Sequence, residues 1–231
     1  MVFPFWGRTA ALGGKRGRMR GVKWIFFDVG STLVDETAAY RRWAAEVLAG
    51  TDIAPAEFEA QRRHLAEAGN PGDGAVLARF GLSDVPWHPE EELPFPDAVP
   101  ALSELRRRGY SLGIIANQVA GLPERLAQRG MGGLFAVIVT SAEFGMKKPD
   151  TALFEAALRQ AGCLPAEAAM VGDRLDNDIA PAKRLGMRTV RILQGYGALS
   201  RPRNGWEEPE ETVRTLAELP GLFPEDKGET E

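Results

Sequence analysis

Short, mainly apolar runs alternate with helical patterns along most of the chain. The runs are largely continuous in their hydrophobicity, which is typical of strands buried on both faces of a parallel sheet. Five of them are predicted to be strands: 24–27, 112–116, 136–139, 169–171 and 189–193. Strands that alternate with helices in this way predict an α/β fold with a doubly wound parallel sheet.

The segments between the later strands carry the end signals of helices. One has Leu126 among its apolar residues and ends at Gly130, and the next has Asp150 as its N-cap and stops at Gly162. The segment 178–186 repeats this pattern between the last two strands. We expect these segments to be the crossover helices of the sheet.

One interval, 36–93, breaks the alternation because it contains no strand-like run. It holds two amphipathic helical stretches, 38–48 and 55–68, followed by a loop-rich segment at 70–74. We therefore predict a helical insertion within the sheet domain. The expected organisation is a disordered extension at 1–20 with Met19 as an alternative start, a core of 21–35 and 94–222, the insertion at 36–93, and a flexible tail at 223–231.

Composition narrows the class of protein. The chain has 231 residues, 44% of them hydrophobic and 26% charged, with a formal net charge of −4 at pH 7, which is typical of a globular protein. The single cysteine, Cys163, cannot form an internal disulfide, and no apolar stretch approaches the roughly 20 residues of a transmembrane helix. The acidic balance argues against a nucleic-acid partner. We expect a soluble, cytoplasmic protein with no membrane partner, and nothing in the sequence indicates its oligomeric state.

Polar residues follow the predicted strands at the points where the strands end. Asp28 ends the first strand, Asn117 follows the second, Lys148 comes after the third, and Asp173 and Asp178 follow the fourth. The carboxyl ends of the strands form the ligand crevice of an open parallel sheet, so these side chains are expected to meet there. Any one of them could instead be a turn or cap residue, and Asp178 in particular could be the N-cap of its helix. Their shared position favours a functional site.

Three aspartates at one sheet edge call for a cation, because like charges in a crevice with little water cannot all stay ionised. Asp28, Asp173 and Asp178 offer oxygen ligands, the type that suits Mg²⁺. Lys148 adds positive charge, and Pro149 after it restricts its backbone to extended conformations, from which it could reach the site. The sequence therefore predicts a magnesium site beside a lysine, an arrangement suited to a phosphate.

The chain resembles the haloacid dehalogenase (HAD) superfamily of phosphohydrolases in four segments: Asp-Val-Gly-Ser-Thr-Leu at 28–33, the apolar strand into Asn117, Lys148-Pro149, and Gly172-Asp173 with Asp178. The resemblance spans nearly all of residues 22–195 and implies a Rossmann-like core. The helical insertion after the first segment is similar to the small α-helical cap of that superfamily.

This resemblance also implies roles for individual residues. Asp28 would attack phosphorus to give an aspartyl phosphate, and Lys148 would steady Asp28. The implied ligands of Mg²⁺ are Asp28, the main-chain carbonyl of Gly30, Asp173 and Asp178. The implied phosphate contacts are Thr32, Asn117 and Lys148.

Two positions depart from the superfamily pattern. A second aspartate, the general acid/base, normally lies two positions after the nucleophile, and this sequence has Gly30 there. A Ser or Thr normally ends the second strand, and this sequence has Ala116. General acid/base catalysis contributes about 10²–10⁴ in rate, so Gly30→Asp is expected to raise turnover.

Three replacements for the missing acid/base group can be weighed. Dehalogenases of the superfamily also lack that aspartate, but the Gly172-Asp173 metal motif resembles the phosphatase branch. Phosphonatases use a cap lysine, and the insertion contains no lysine. His64 and His88 lie in the insertion and could deliver a proton if the cap closes, although a surface or packing role is the simpler interpretation.

Two functions follow from these residues. The first is a Mg²⁺-dependent phosphohydrolase that acts on a small phosphorylated metabolite through an aspartyl-phosphate intermediate, slowly where the leaving group needs a proton. The second is a non-catalytic protein of the same fold that binds Mg²⁺ and a phosphorylated ligand as a sensor or partner module. The losses at Gly30 and Ala116 motivate the second, and the retained aspartates and Lys148 favour the first.

Overall fold

The computed structural model describes residues 19–225. Within this range the strands are β1 (Trp24–Phe27), β2 (Val34–Asp35), β3 (Leu93–Pro94), β4 (Ser111–Ala116), β5 (Val137–Thr140), β6 (Ala168–Gly172), β7 (Arg188–Ile192) and β8 (Glu211–Val213). The α-helices of the same range are α1 (Thr37–Val47), α2 (Pro55–Glu67), α3 (Asp73–Phe80), α4 (Ala98–Arg107), α5 (Leu122–Gln128), α6 (Ser141–Phe144), α7 (Thr151–Ala161), α8 (Ala180–Arg184) and α9 (Leu219–Leu222).

Six strands form one sheet in the order β5-β4-β1-β6-β7-β8, and every pairing in it is parallel. The five predicted strands are confirmed as β1, β4, β5, β6 and β7. The edge strand β8 was not predicted, because its Glu-Thr-Val sequence contains a single apolar residue and forms no apolar run. Strand order reverses on either side of β1, so the ligand crevice of this sheet lies at the carboxyl end of β1.

The sheet is covered by hydrophobic side chains on both faces, as a doubly wound fold requires. Ile25 and Phe27 of β1 pack in a cluster with α4, α5 and α9, whereas Phe26 packs on the opposite face with α7 and α8. This alternation follows from the pleat, which points successive side chains to opposite faces. The predicted α/β fold is confirmed.

The crossover helices lie where the sequence predicts them. In α7 the side chain of Asp150 caps the first turn by accepting a hydrogen bond from the Ala152 N–H at 2.9 Å, and Gly162 ends the helix in a left-handed conformation. Helix α5 covers the segment that ends at Gly130. The segment 178–186 contains α8, but its first turn is a π-helical turn, Leu175–Ile179, which matters for the site.

Helices α1, α2 and α3 form the insertion, and they share a hydrophobic cluster of their own. Its fully or largely buried members are Trp43, Val47, Leu48, Phe58, Val76 and Leu77. The short antiparallel pair β2–β3 marks where the chain leaves the sheet and where it returns. None of the helices between residues 19 and 225 is long and apolar enough to cross a membrane.

Helix α3 corrects the expectation of loop at 70–74. Pro71 and Gly72 do precede it, but Asp73 is already in the helix, and Val76 and Leu77 pack into the insertion cluster. The turn-forming residues of this segment precede a short helix. The helix was not predicted because its eight residues bury only one narrow apolar face, which leaves a weak helical pattern in the sequence.

The predicted core is too short at both ends. Met19, which we assigned to the extension, is buried, and its N–H donates to the Leu222 carbonyl at 2.9 Å. Phe223, which we assigned to the tail, is fully buried beside the ring of Tyr110. The hydrophobic effect holds both residues in the core. The remainder of the predicted extension and tail, 1–18 and 226–231, lies outside the described residues.

Candidate active site

Asp28, Lys148, Asp173 and Asp178 meet at the carboxyl ends of β1 and β6, as the sequence predicts. Carboxylate oxygens of the three aspartates all lie within 4.8 Å of one another. All four side chains line a cavity of about 520 Å³ that extends between the sheet and the insertion. The roles that the resemblance implies for these residues stay predictions, but their convergence is a feature of the structure.

Lys148 is the charged centre of this group. Its buried ammonium Nζ donates to Oδ1 of Asp28 at 2.7 Å and to Oδ1 of Asp178 at 2.6 Å. Burial lowers the pKa of Lys148, but attraction to the two carboxylates outweighs burial and the net shift is upward. Lys148 therefore stays charged and holds Asp28 at the cavity surface.

The side chain of Asn117 has a different contact from the predicted one. Its Oδ1 accepts from the Lys148 main-chain N–H at 2.8 Å, and its Nδ2 donates to the Lys148 carbonyl at 3.0 Å. The amide is thus bonded to the loop that carries Lys148. The structure supports Asn117 as a residue that positions Lys148, rather than as one whose amide is free for phosphate.

Asp178 lies in the π-helical turn and is not the N-cap of a helix, which was the simpler alternative for it. Its Oδ2 accepts from the Arg174 N–H at 3.0 Å, which turns the carboxylate back toward the strand end. A β-carbon on Gly172 would lie 2.5 Å from Cγ of Asp178, so the strand needs glycine at this position. Burial raises the pKa of Asp178 to about 6, although Lys148 opposes this rise.

Asp173 is a buried carboxylate in need of positive charge. Burial, together with the nearby Asp178 and Asp28, raises the pKa of Asp173 well above its ordinary value. A hard cation bound among these oxygens would remove that penalty, because oxygen ligands at this spacing suit Mg²⁺. The residues present therefore fit the predicted Mg²⁺.

The position of the missing acid/base aspartate is filled by a side chain from elsewhere. A β-carbon on Gly30 would lie 2.7 Å from Cδ and 2.9 Å from Oε2 of Glu36, and nearer still to Oε1. Glu36 lines the cavity, and the Ser31 hydroxyl donates to its Oε2 at 2.8 Å. Loss of solvent raises the pKa of Glu36 to about 8; the Ser31 bond opposes the rise, and Glu92, Asp28 and Asp73 add to it.

Comparison with known proteins agrees with this geometry. Residues 22–186 match the family described as haloacid dehalogenase-like hydrolase. The chain belongs to this family. The matched residues include the first strand, which ends in Asp28, and the Gly172-Asp173 turn.

Individual members of the haloacid dehalogenase-like family can be aligned with the chain. Over 127 residues it is 40% identical to glyceraldehyde 3-phosphate phosphatase of Methanopyrus kandleri, and the match spans 54% of each chain, about half the length of that relative. Over 193 residues it is 32% identical to the enzyme of the same name from Methanothermobacter thermautotrophicus, covering 74% of this chain and 85% of that one. The crystal structure of a HAD phosphatase from Thermococcus onnurineus superposes with a TM-score of 0.62 and 25% identity, over 87% of this chain and 97% of that one.

Thr32, which was predicted for this HAD-like site, and the two histidines that were considered as proton donors lie away from it. Thr32 is fully buried and does not line the cavity, since the chain turns at Ser31, which has a left-handed φ of 52° and faces the cavity instead. His64 is exposed on α2. His88 pairs with Glu46 at 2.9 Å, which raises its pKa, and neither histidine lines the cavity. The surface interpretation of the two histidines is the correct one.

The insertion supplies a cavity wall of aromatic rings and carboxylates. Its members are Tyr40, Trp43, Trp87, Asp73 and Asp84. The Trp43 indole donates to Asp84 at 2.9 Å, and the buried Arg62 pairs with Asp73 at 3.0 Å. Sequence patterns gave no sign of this wall, because its residues come from α1, from α3 and from the loop that follows α3.

Sequence reasoning also missed Glu36, which we treated only as the first residue of the insertion. A signal was present in the sequence: Gly30 leaves room close to Asp28, and a carboxylate follows six residues later. Ser141 was missed as well. It lines the cavity at the end of β5, where its hydroxyl accepts from the Gln118 N–H at 3.1 Å, beside the position that Ala116 leaves without a hydroxyl.

Proposed function

We propose that the protein is a Mg²⁺-dependent phosphomonoesterase that hydrolyses a small phosphorylated metabolite through a phosphorylated Asp28. The observation that carries this proposal is the contact between Asp28 and Lys148. The Asp28 carboxylate lines the cavity, and a buried ammonium group 2.7 Å away fixes one of its oxygens. A carboxylate held in this way is oriented for attack and has no other evident structural use.

The reaction consists of two displacements at phosphorus. A carboxylate oxygen of Asp28 attacks, the ester P–O bond breaks, and the alcohol leaves with a proton. Water then attacks the phosphorus of the aspartyl phosphate, and the Asp28 carboxylate is released with inorganic phosphate. The Lys148 ammonium orients the Asp28 carboxylate through their 2.7 Å contact and offsets charge on the phosphoryl oxygens. Asn117 keeps Lys148 in place.

Asp28, Asp173 and Asp178 would hold the Mg²⁺, with the Gly30 carbonyl as a further ligand. Bound there, the ion supplies positive charge that balances the phosphate and the aspartates. Asp178 is tied to the Arg174 N–H and to Lys148, so its orientation is set before a ligand enters.

The cavity wall favours a substrate whose organic part carries no negative charge. Asp73 and Asp84 face the space in front of Asp28, and the described cations of the lining, Lys148 and Arg174, are each already paired with aspartates. A carboxylate on the substrate would meet like charges there. The organic part of glyceraldehyde 3-phosphate, the substrate in the names of both relatives described above, is an uncharged aldehyde.

The test follows phosphate release from a matched pair of substrates, glyceraldehyde 3-phosphate and 3-phosphoglycerate, which differ in an aldehyde against a carboxylate. We expect release with Mg²⁺ that stops when EDTA removes it, and a higher kcat/KM for the aldehyde. A higher kcat/KM for 3-phosphoglycerate would contradict the proposed substrate class.

The non-catalytic alternative makes an opposite prediction. It requires that orthophosphate with Mg²⁺ raises the melting temperature, since a ligand bound to the folded state stabilises it, while no phosphate is released from either ester. That pair of results would overturn the proposed enzyme. Release that is lost in Asp28→Asn would support the enzyme.

A further inference from the structure

The structure leaves one chemical step without an evident group. An alkoxide leaving group must receive a proton, and the attacking water must lose one. Gly30 has no side chain for either transfer, and His64 and His88 lie outside the cavity. A proton carrier has to be sought among the other groups that face Asp28.

Local folding brings Glu36 to the required place. After β1 the chain makes a tight turn in which the N–H groups of Leu33 and Val34 both donate to the Val29 carbonyl, at 2.8 and 3.1 Å. Two residues later Glu36 is the N-cap of α1, where its carbonyl accepts from the Tyr40 N–H at 2.8 Å. The turn therefore directs the Glu36 side chain back over Gly30.

The Glu36 carboxyl occupies the space into which a side chain at position 30 would extend. The distances from a β-carbon on Gly30 to Cδ and Oε2 of Glu36, 2.7 and 2.9 Å, are too short for the Glu36 carboxyl to keep its position beside a side chain at 30. Glycine at 30 is thus what admits the carboxyl of Glu36. A carboxyl group faces the cavity beside Asp28 although no aspartate stands at position 30.

The surroundings of Glu36 suit a group that exchanges protons. The Ser31 hydroxyl fixes Oε2 at 2.8 Å, and Oε1 is the carboxyl atom nearest to the place where a β-carbon on Gly30 would lie. The side chain is open to the cavity but otherwise enclosed by protein. A carboxyl group in this position can give a proton to a leaving oxygen in the cavity and can take one from a water molecule there.

We propose that Glu36 is the general acid and base of this site, in the place of the aspartate that position 30 lacks. This inference rests on the proposed phosphatase function. As the ester P–O bond breaks, the Glu36 carboxyl gives its proton to the leaving oxygen and becomes a carboxylate. That carboxylate then takes a proton from the water whose oxygen bonds to phosphorus, the Asp28 O–P bond breaks, and Glu36 returns to its starting form.

The proposal reverses the expectation that Gly30→Asp raises turnover. In the presence of Glu36 a new aspartate would collide with the existing carboxyl and displace it. The same aspartate should be accommodated when Glu36 is shortened to alanine. The pair Gly30→Asp and Gly30→Asp/Glu36→Ala therefore distinguishes a vacant position from one that Glu36 fills.

The experiment compares two substrates that differ in the proton demand of their leaving groups, glyceraldehyde 3-phosphate and acetyl phosphate. In Glu36→Gln we expect kcat for glyceraldehyde 3-phosphate to fall at least about 100-fold, while the rate of Asp28 phosphorylation by acetyl phosphate stays within about threefold of wild type. Because water activation is also lost, the phosphorylated protein should accumulate. Glu57→Gln, on the exposed side of α2, is the matched control and should behave as wild type.

The outcomes separate the inference from the function on which it rests. No phosphate release by wild type from either substrate would overturn the phosphatase function. If wild type is active and Glu36→Gln is equally active on glyceraldehyde 3-phosphate, only the role of Glu36 is overturned. Equal losses of rate on both substrates in Glu36→Gln would also overturn that role alone. The kcat of Gly30→Asp/Glu36→Ala for glyceraldehyde 3-phosphate should be at least about tenfold higher than that of Glu36→Ala. A double variant no faster than Glu36→Ala would contradict the claim that the Glu36 carboxyl occupies the place of a side chain at position 30.

Discussion

The side-chain amide of Asn117 holds the main chain of Lys148 on both sides. Its oxygen accepts from the Lys148 N–H at 2.8 Å and its nitrogen donates to the Lys148 carbonyl at 3.0 Å. The Lys148 ammonium in turn lies 2.7 Å from Asp28. The residue that follows β4 is thereby joined to Asp28 through one lysine.

Asn117→Ala should therefore misplace the Lys148 ammonium without removing it. We expect kcat to fall about 10-fold or more, with a smaller change in KM, since misplacement of a catalytic group by about 1 Å can cost 10²-fold. Asn117→Asp keeps the acceptor for the Lys148 N–H and loses the donor, so its loss should be intermediate. Steady-state kinetics of the two variants check this order, and an Asn117→Ala protein with unchanged kcat would contradict it.

Lys148→Met removes the cation and leaves Asp28 and Asp178 facing each other. We expect loss of turnover and, without added metal, a stability loss of about 3 kcal/mol, because a buried ion pair is broken on one side. Added Mg²⁺ should recover part of this loss by supplying charge. Thermal melts with and without Mg²⁺ measure it, and Lys147→Met, at the exposed neighbouring position, is the control. A Lys148→Met protein as stable as that control would refute this account of Lys148.

Arg62 joins the insertion to the sheet domain. Its guanidinium carbon lies 3.6 Å from the centre of the Tyr40 ring and 4.0 Å from that of Tyr196, which follows β7, and it also pairs with Asp73. Arg62→Met should lower the free energy of unfolding by about 2 kcal/mol or more and should raise KM, since both the cation–π contacts and the ion pair are lost. Urea unfolding and KM measure the two effects. The exposed Arg41→Met should change neither, and an Arg62→Met effect no larger than that would count against the contact.

Glu36 should make stability depend on pH. Its pKa is raised to about 8 in the folded state, first by burial and then by Glu92, Asp28 and Asp73, with Ser31 opposing. Between its ordinary pKa of 4.5 and about 8 the folded protein binds more protons than the unfolded chain, so this contribution to stability is present at low pH and is lost as pH rises.

Glu36→Gln cannot ionise, so its melting temperature should exceed that of wild type by a margin that grows from pH 5 to pH 8. Melts in metal-free buffer across this range test the expectation, with Glu57→Gln as the control. A margin that stays constant with pH would show that Glu36 does not carry the raised pKa.

The sheet and the convergence of the aspartates could be predicted from the sequence, because both depend on local patterns. Apolar runs mark strands, and the residue that ends a parallel strand lies at the ligand edge, which places Asp28 and Asp173 without any knowledge of packing. The strand β8 was not predicted because it lies at the edge of the sheet, where a strand needs fewer apolar residues. The position of Glu36 was not predicted because it depends on a turn at a left-handed Ser31, and the spacing of Gly30 and Glu36 alone does not show where that turn directs the side chain.

Thr32 and Asn117 show a second limit of the sequence. The family resemblance implies that both residues contact the phosphate, but the direction of a side chain depends on the turn that carries it. The turn buries Thr32, and hydrogen bonds to Lys148 engage the amide of Asn117. The Arg62 contacts could not be predicted either, because Tyr40, Asp73 and Tyr196 come from separate elements.

The proposed phosphatase function requires that Asp28 becomes phosphorylated. The most direct measurement mixes the protein and Mg²⁺ with ³²P-labelled acetyl phosphate, stops the reaction in acid, counts protein-bound phosphate and maps it by mass spectrometry. We expect one labelled phosphoryl group per chain, on Asp28, and none in Asp28→Asn. Phosphate release by the wild type without bound label, or label that persists in Asp28→Asn, would contradict it.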